Sequence, residues 1–234
     1  MRAIVLAGGK GVRLKPYTTT LPKPLMPLGD EMPILEVVIK QLKKNGFKHI
    51  TIAVNHLSNI IMAFFGNGEK WGVKIDYSLE EEPLGTIGPV TLIDDLPDDF
   101  LLMNGDLLTD INYREFFEYH QKNKNDVTVA SYKRKQNIDF GIIEANADNE
   151  IIGFAEKPDY DFGVSMGIYI IKRKVIEKLP KGKPYGFDNL MLDGIASDMK
   201  MQVMPFQGYW LDIGRPDDYE QANKDFSGMK DKLL

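Results

Sequence analysis

The chain contains no cysteine, which excludes disulfide scaffolds, thiolate-held zinc and cysteine nucleophiles, and fits a reducing compartment. Histidine is almost as scarce. His49, His56 and His120 are the only three, and they lack metal-ligand spacing, so each reads as structural or surface. Positive charge is not in excess: Lys and Arg number 29 against 34 Asp and Glu, a net charge of −5 at pH 7. Duplex binders carry a basic stripe, so nucleic acid is not an expected partner. No apolar run approaches the roughly 18 residues that a membrane span requires. The N-terminal run over 3–7 is too short for the apolar region of a secretion signal and gives way at once to Gly8-Gly9-Lys10-Gly11. A cytoplasmic protein without a membrane partner is expected.

What is present is ordinary for a globular enzyme. The 234 residues are 43% hydrophobic and 27% charged, enough to bury a sizeable core. Short runs over 3–7, 50–54, 73–77, 100–103 and 127–132 read as strands, those over 3–7 and 100–103 continuously apolar and so buried. Between them, helical spacing predicts helices over 33–46, 59–65, 86–93 and 113–123. Pro33 opens the first of these and Gly46 closes it. Beyond Lys133 the pattern changes. A hairpin over 141–144 and 151–154 is predicted, then a strand over 167–171, a short helix over 174–179, strands over 203–206 and 209–212, and a helix over 217–225 with a frayed end at 230–234. Alternation of this kind implies an α/β fold: a Rossmann-like mixed, mainly parallel sheet flanked by helices. No internal repeat or low-complexity linker divides the chain. One domain over 1–234 is expected, with a first half at 1–132 and a second at 133–234.

The segment Leu6-Ala7-Gly8-Gly9-Lys10-Gly11-Val12-Arg13-Leu14 carries the strongest signal. Glycines after a buried strand let the backbone approach a ligand and aim several N–H groups at one anion. Arg13, and Lys23 of Leu21-Pro22-Lys23-Pro24-Leu25, add fixed positive charge. A dinucleotide fingerprint fails here, because its third glycine would fall at Leu14, and no Walker loop is present. The glycines alone are equally compatible with an ordinary strand-to-loop turn; the two cations and the prolines favour phosphate. Asp106 lies just beyond a buried strand, where α/β sheets bind ligands, and Asp212 ends the run Tyr209-Trp210-Leu211. On spacing alone each is a turn or cap residue as readily as a ligand. Asp110 suits a helix N-cap.

The glycine loop followed by Pro-Lys-Pro resembles the nucleotidylyltransferases that make NDP-sugars, a family with guanylyl- and thymidylyltransferase branches. The likeness continues through Glu82-Pro83-Leu84-Gly85-Thr86, Asn104-Gly105-Asp106, Phe140-Gly141-Ile142, Glu156-Lys157-Pro158 and Tyr209-Trp210-Leu211-Asp212-Ile213-Gly214. It spans nearly the whole chain and departs at Val12, where the family usually has Thr or Ser. The resemblance implies the nucleotidyltransferase fold of the glycosyltransferase-A type, with the nucleotide held by the first half and a sugar phosphate by the second. It implies transfer of a nucleotidyl group from an NTP to a sugar 1-phosphate with release of pyrophosphate. Arg13 would engage the leaving pyrophosphate and Lys23 the α-phosphate. Leu6, Ala7, Gly8, Gly9, Gly11, Glu80, Pro83, Gly85, Thr86 and Gly105 would bind the nucleotide. Asp106 and Asp212 would hold Mg²⁺. Lys157 would bind the phosphate of the acceptor, Glu156 its hydroxyls, Gly141 its ring and Ser165 a further edge.

Glu80 bears on the base. A carboxylate only accepts hydrogen bonds, and guanine presents two adjacent donors, whereas uracil and thymine flank one N–H with carbonyls. GTP is therefore favoured, with UTP, dTTP or CTP as alternatives. The competing reading makes Glu80, Glu81 and Glu82 a solvated acidic run. In Val164-Ser165-Met166-Gly167-Ile168-Tyr169, Ser165 and Met166 stand where many sugar-specific members have the Asn and Ala of Asn-Ala-Gly, so the sugar is open, as is a non-sugar phosphate acceptor. The stretch Tyr185-Gly186-Phe187-Asp188 faces the sugar or caps a helix. A catalytically silent NDP-sugar-binding subunit is the alternative of another class, disfavoured by the retained charged set. No hexapeptide repeat appears, so an appended β-helix acyltransferase domain is not expected. Homo-oligomerisation is left open.

Overall fold

The computed structural model describes all 234 residues. In chain order the strands and helices are β1 (Arg2–Leu6), β2 (Pro27–Leu28), β3 (Met32–Pro33), α1 (Ile34–Lys44), β4 (His49–Val54), α2 (Ser58–Phe65), β5 (Lys74–Leu79), β6 (Asp99–Asn104), β7 (Leu107–Thr109) and α3 (Tyr113–Asn123). There follow β8 (Val127–Asn137), β9 (Ile142–Ala145), β10 (Ile151–Ala155), β11 (Asp159–Lys172), α4 (Arg173–Ile176), α5 (Phe187–Ala196), β12 (Met201–Phe206), β13 (Trp210–Asp212) and α6 (Pro216–Leu233). No helix is long and apolar enough to cross a membrane.

Seven strands form one sheet in the order β12-β8-β11-β6-β1-β4-β5. Only the two pairings of β11, with β6 and with β8, are antiparallel; β1–β4, β1–β6, β4–β5 and β12–β8 are parallel. The mixed, mainly parallel sheet expected from the alternation of strands and helices is therefore what forms. Its central strands are apolar on both faces because both are covered. Ala3 and Val5 of β1, with Leu101 and Met103 of β6, point into a core of 28 buried residues shared with α1 and α3. Ile4, Phe100 and Leu102 point the other way, into a core of 13 residues. The alternation follows from the two-residue period of a strand. A third core of 10 residues joins Leu28, Ile34, Leu108 and Ile213 to Ala222, Phe226 and Leu233 of α6.

Strand order reverses at β1, which has β4 on one side and β6 on the other. In open α/β sheets ligands bind outside the carboxyl ends of the strands at such a point. Leu6, Ala53 and Asn104 lie side by side there.

The structure departs from the sequence expectations in several places. The helix predicted over 86–93 is a five-residue 3-10 turn, Gly88–Leu92; Gly88 and Pro89, the two poorest helix formers, fall in the middle of the predicted span. The helix predicted over 174–179 is the single turn Arg173–Ile176. Asp110 does not cap α3. Asn112 does, its side chain accepting from the backbone N–H of Arg114 and of Glu115, both at 3.1 Å. Asp110 instead accepts from the N–H of Tyr209 at 2.7 Å and pairs with Lys232. The C-terminus does not fray: α6 runs through Leu233, which is buried against the third core. Tertiary burial overrides the weak local helix signal there.

Because α6 closes the third core through Phe226, which is fully buried, Phe226→Ala should cost about 3–5 kcal/mol through the cavity it leaves. Urea unfolding should show a lowered midpoint at an unchanged slope. A midpoint equal to the parent's would mean that α6 is not part of the cooperative unit.

Candidate active site

The loop after β1 is built for close approach. At Gly8 an added Cβ would lie 2.9 Å from Glu80 Oε1 and 3.1 Å from Asn55 Cβ, so any side chain would collide with the wall that faces it. Gly11 has φ of 59°, in the left-handed region, and its Cβ would meet Thr18 Cγ2 at 2.8 Å. The Thr18 hydroxyl donates to the Gly11 carbonyl at 2.7 Å and fixes the turn. Glycine is the residue that meets both demands.

Two adjoining cavities open beside this loop. One, of about 210 Å³, is walled by Ala7, Gly11, Arg13, Lys23, Gly105 and Gly214. The other, of about 330 Å³, is walled by Gly8, Asn55, Glu80, Pro83, Gly85 and Thr86. Leu6, Gly9 and Asp106 belong to both walls, so the two form one trough. The loop glycines, the 80–86 segment, the cations Arg13 and Lys23, and Asp106, scattered over a hundred residues of sequence, thus meet in one place.

Glu80 is not part of a solvated run. It is 8% exposed, its Oε2 accepts the Leu84 N–H at 3.1 Å, and its own carbonyl accepts from Asn55 Nδ2 at 2.8 Å. Burial holds its carboxyl above the usual carboxylate range, while the Leu84 N–H acts in the opposite direction. Oε1, beside Gly8, is left facing the trough.

The two aspartates are brought together by a short antiparallel ladder. Asp106 immediately precedes β7; Asp212 ends β13 and stands opposite Leu107 in the register. The Ile213 N–H donates to the Asp106 carbonyl at 3.1 Å, and Thr109 and Asp110 anchor the far end of the ladder to Tyr209. Asp106 Oδ2 is bonded to the Lys23 ammonium. Its Oδ1 is buried without any hydrogen-bond partner. The Asp212 carboxyl is pushed up by burial and then by the Asp106 charge, with Lys23 and Arg13 pulling it down. No group of three or more His, Cys, Asp or Glu side chains is placed to hold a metal ion by itself. A pair of carboxylates, one with an orphaned oxygen, suits a hard cation that completes its shell with phosphate oxygens and water.

The residues expected to face the acceptor lie on the second half. Gly141 and Glu156 are neighbours, with Glu156 Oε2 3.2 Å from where a Gly141 Cβ would be. Lys157 adopts φ of 44°, an uncommon conformation for a residue with a side chain, and its ammonium pairs with Asp139 at 3.0 Å on the surface. Ser165 Oγ donates to the Tyr169 hydroxyl at 3.1 Å and accepts from the Gly167 N–H at 3.3 Å. The 185–188 stretch begins α5: the Gly186 N–H donates to Asn189 Oδ1 and Phe187 stacks on Tyr169 with centroids 4.1 Å apart. It also binds the base-side loop, since the Phe187 N–H donates to Thr86 Oγ1 at 2.7 Å. Asn55, Asn104 and Gly214 line the trough without having been singled out as site residues. Their position at strand ends was the available signal.

The nucleotidyl transferase family model matches residues 2–228. The mannose-1-phosphate guanyltransferase of Yarrowia lipolytica is 34% identical over 227 residues, covering 94% of this chain and 62% of its own length. The mannose-1-phosphate guanylyltransferase of Mycobacterium tuberculosis is 28% identical, covering 95% and 64%. The chain therefore spans somewhat under two thirds of these curated relatives. Among solved structures, HddC from Yersinia pseudotuberculosis complexed with GMP-PN is 25% identical with a TM-score of 0.73, covering 96% of this chain and 99% of HddC. A putative glucose-1-phosphate thymidylyltransferase from Bacillus anthracis, at 24% identity and a TM-score of 0.76 over 96% of this chain and 94% of its own, shares the fold.

Since Asp212 holds its proton more tightly in the folded chain than in the unfolded one, ionising it costs stability. That cost is absent below the ordinary carboxylate pKa of about 3.9 and grows as pH rises through the elevated folded value. Asp212→Asn should therefore raise the Tm of the ligand-free protein at pH 7, with the gain shrinking as pH falls toward about 4. Thermal melts across that range check it, and a Tm at pH 7 no higher than the parent's would contradict it.

Proposed function

We propose, from the premise that this chain belongs to the nucleotidyl transferase family, that it transfers a nucleotidyl group from GTP to a sugar 1-phosphate, releasing pyrophosphate. The observation that carries this reading is the shared wall. Asp106, bonded to Lys23, stands where the phosphate-sized cavity meets the cavity that contains Glu80. A nucleoside triphosphate lying along the trough puts its base against Glu80 and its α-phosphate at Asp106 and Lys23.

Each residue then has a task. Backbone N–H groups of the glycine loop cradle the β- and γ-phosphates, and Arg13 draws charge off the departing pyrophosphate. Lys23 neutralises the α-phosphate oxygens. An oxygen of the acceptor phosphate forms a bond to the α-phosphorus as the bond to pyrophosphate breaks, in line. The work is chiefly positioning and charge stabilisation. Asp106 and Asp212 fit a divalent cation, Mg²⁺ in this reading, and when bound it would supply further positive charge to the α-phosphoryl oxygens. Lys157 and Glu156 orient the acceptor from the second half.

Guanine is favoured by Glu80. Its carboxylate is anchored through Oε2 and presents Oε1 to the trough, an acceptor matched to the paired N1–H and amino donors of guanine. The guanyltransferase relatives and the GMP-PN held by HddC support the same choice.

A matrix of the four NTPs against sugar 1-phosphates, read by released pyrophosphate with Mg²⁺, tests the proposal. GTP should give the highest kcat/KM; no release with any pair would overturn it. Asp106→Asn should lower kcat by about 10²-fold or more, as loss of one electrostatic stabiliser commonly does. Glu80→Gln should cut kcat/KM for GTP by about 10²-fold while sparing or raising that for UTP and dTTP, because a site that loses its hydrogen-bond match rejects the substrate strongly. Unchanged nucleotide preference in this variant would remove Glu80 from base reading.

A further inference from the structure

The second half carries a cation that the proposed function leaves without a task. Along β8 the side chains of Lys133, Arg134 and Lys135 alternate in direction. Lys133 and Lys135 reach across to β11 and pair with Asp161 at 2.8 Å and Asp159 at 2.6 Å. Arg134 points to the opposite face. Its guanidinium lies 5.1 Å from the centre of the Trp210 ring and has no carboxylate within salt-bridge distance, in a chain with 34 acidic residues.

Trp210 is well fixed. Its indole N–H donates to the Met166 carbonyl at 3.1 Å, and Tyr132 packs on it at 5.4 Å between centroids. It also shares the three-residue strand β13 with Asp212, two positions away and therefore on the same side. Arg134 is thus a planar cation, laid over a rigid ring, on the side of the strand that carries a metal carboxylate. Stacking holds it in place without neutralising it. The other basic group assigned to the acceptor, Lys157, already has Asp139 as a partner.

We infer that Arg134 binds an acidic group of the acceptor through its guanidinium, using Trp210 as its platform. This rests on the reading of the second half as the acceptor side. Guanidinium takes phosphate or carboxylate oxygens in pairs, so the ligand group is an oxyanion. It is either the C1 phosphate common to all acceptors or a second acidic group elsewhere on the sugar.

The test compares Arg134→Gln, Arg134→Lys and Lys135→Gln with the parent enzyme, using a hexose 1-phosphate and a hexose 1,6-bisphosphate as acceptors. Arg134→Gln should raise the acceptor KM by about tenfold or more, the loss of a charge-assisted pair, with the GTP KM unchanged. Arg134→Lys should fall between, and Lys135→Gln, on the other face, should match the parent. A rise with both acceptors assigns Arg134 to the C1 phosphate; a rise with the bisphosphate alone assigns it to a second acidic group. An unchanged acceptor KM with both, in an active parent, overturns the inference. Binding is also read directly, with Trp71→Phe leaving Trp210 as the only tryptophan. Saturable quenching by the bisphosphate should be present in Trp71→Phe and lost when Arg134→Gln is added. If the parent released no pyrophosphate from any substrate pair, the proposed reaction would fail. The quenching would still decide for or against Arg134: quenching indifferent to Arg134→Gln, or none at all, would reject it.

Discussion

Two carboxylates held against their own repulsion are the constraint around which this molecule is arranged. The β7–β13 ladder fixes Asp212 beside the residue that follows Asp106, and burial raises the cost of keeping both charged. A pair of this kind persists only if the rest of the structure insists on it. Here the insistence comes from below, where α6 seals Leu108 and Ile213 into a common core. It also comes from the side, where Lys23 and Arg13 supply opposing charge. The orphaned Oδ1 of Asp106 marks the remaining imbalance. That buried oxygen, without a donor of its own, is where a hard cation would fit between the two carboxylates.

The loop around Glu80 is tied to β11 by a run of hydrogen bonds and stacked rings. Glu80 is anchored to Leu84 and Asn55. Tyr185 ties this loop to α5, its carbonyl accepting from the N–H groups of Ile87 and Gly88 at 3.0 Å each. Phe187 then stacks on Tyr169, which bonds to Ser165. A continuous run thus links the Glu80 loop to β11.

The central strands were legible because burial on both faces writes itself as a continuous apolar run. The segments over 3–7, 50–54 and 100–103 became β1, β4 and β6 almost residue for residue. The glycine loop was legible for a different reason, since close approach at Gly8 and left-handed backbone at Gly11 leave few alternatives to glycine. The metal-side geometry was not. The strand predicted over 209–212 forms as β13, but β7 has only three residues and no periodicity, and nothing local signals that the two pair across a hundred residues. Asp110 looked like a cap because it precedes a helix, but the ladder captures it for Tyr209 and leaves Asn112 the capping role. The long extensions of β8 and β11 were invisible as strands because their outer halves are exposed on both faces and that of β8 is charged on both.

That last feature separates the two halves of the site physically. The nucleotide trough is walled by residues that belong to, or adjoin, the main core, and Glu80 is almost wholly buried in it. On the acceptor side the hairpin of β9 and β10 stands as its own two-stranded sheet. Phe140, Ile143 and Phe154 there are 77%, 59% and 64% exposed. An isolated two-stranded ribbon is marginal in water, so its geometry is fixed less by its own pairing than by what it rests on. Under the proposed function, base choice would rest on a rigid wall with one buried carboxylate, and acceptor choice on the contact between the projecting β9–β10 arm and the fixed side chains it faces, such as Trp210 of β13, which the Met166 carbonyl and Tyr132 hold in place.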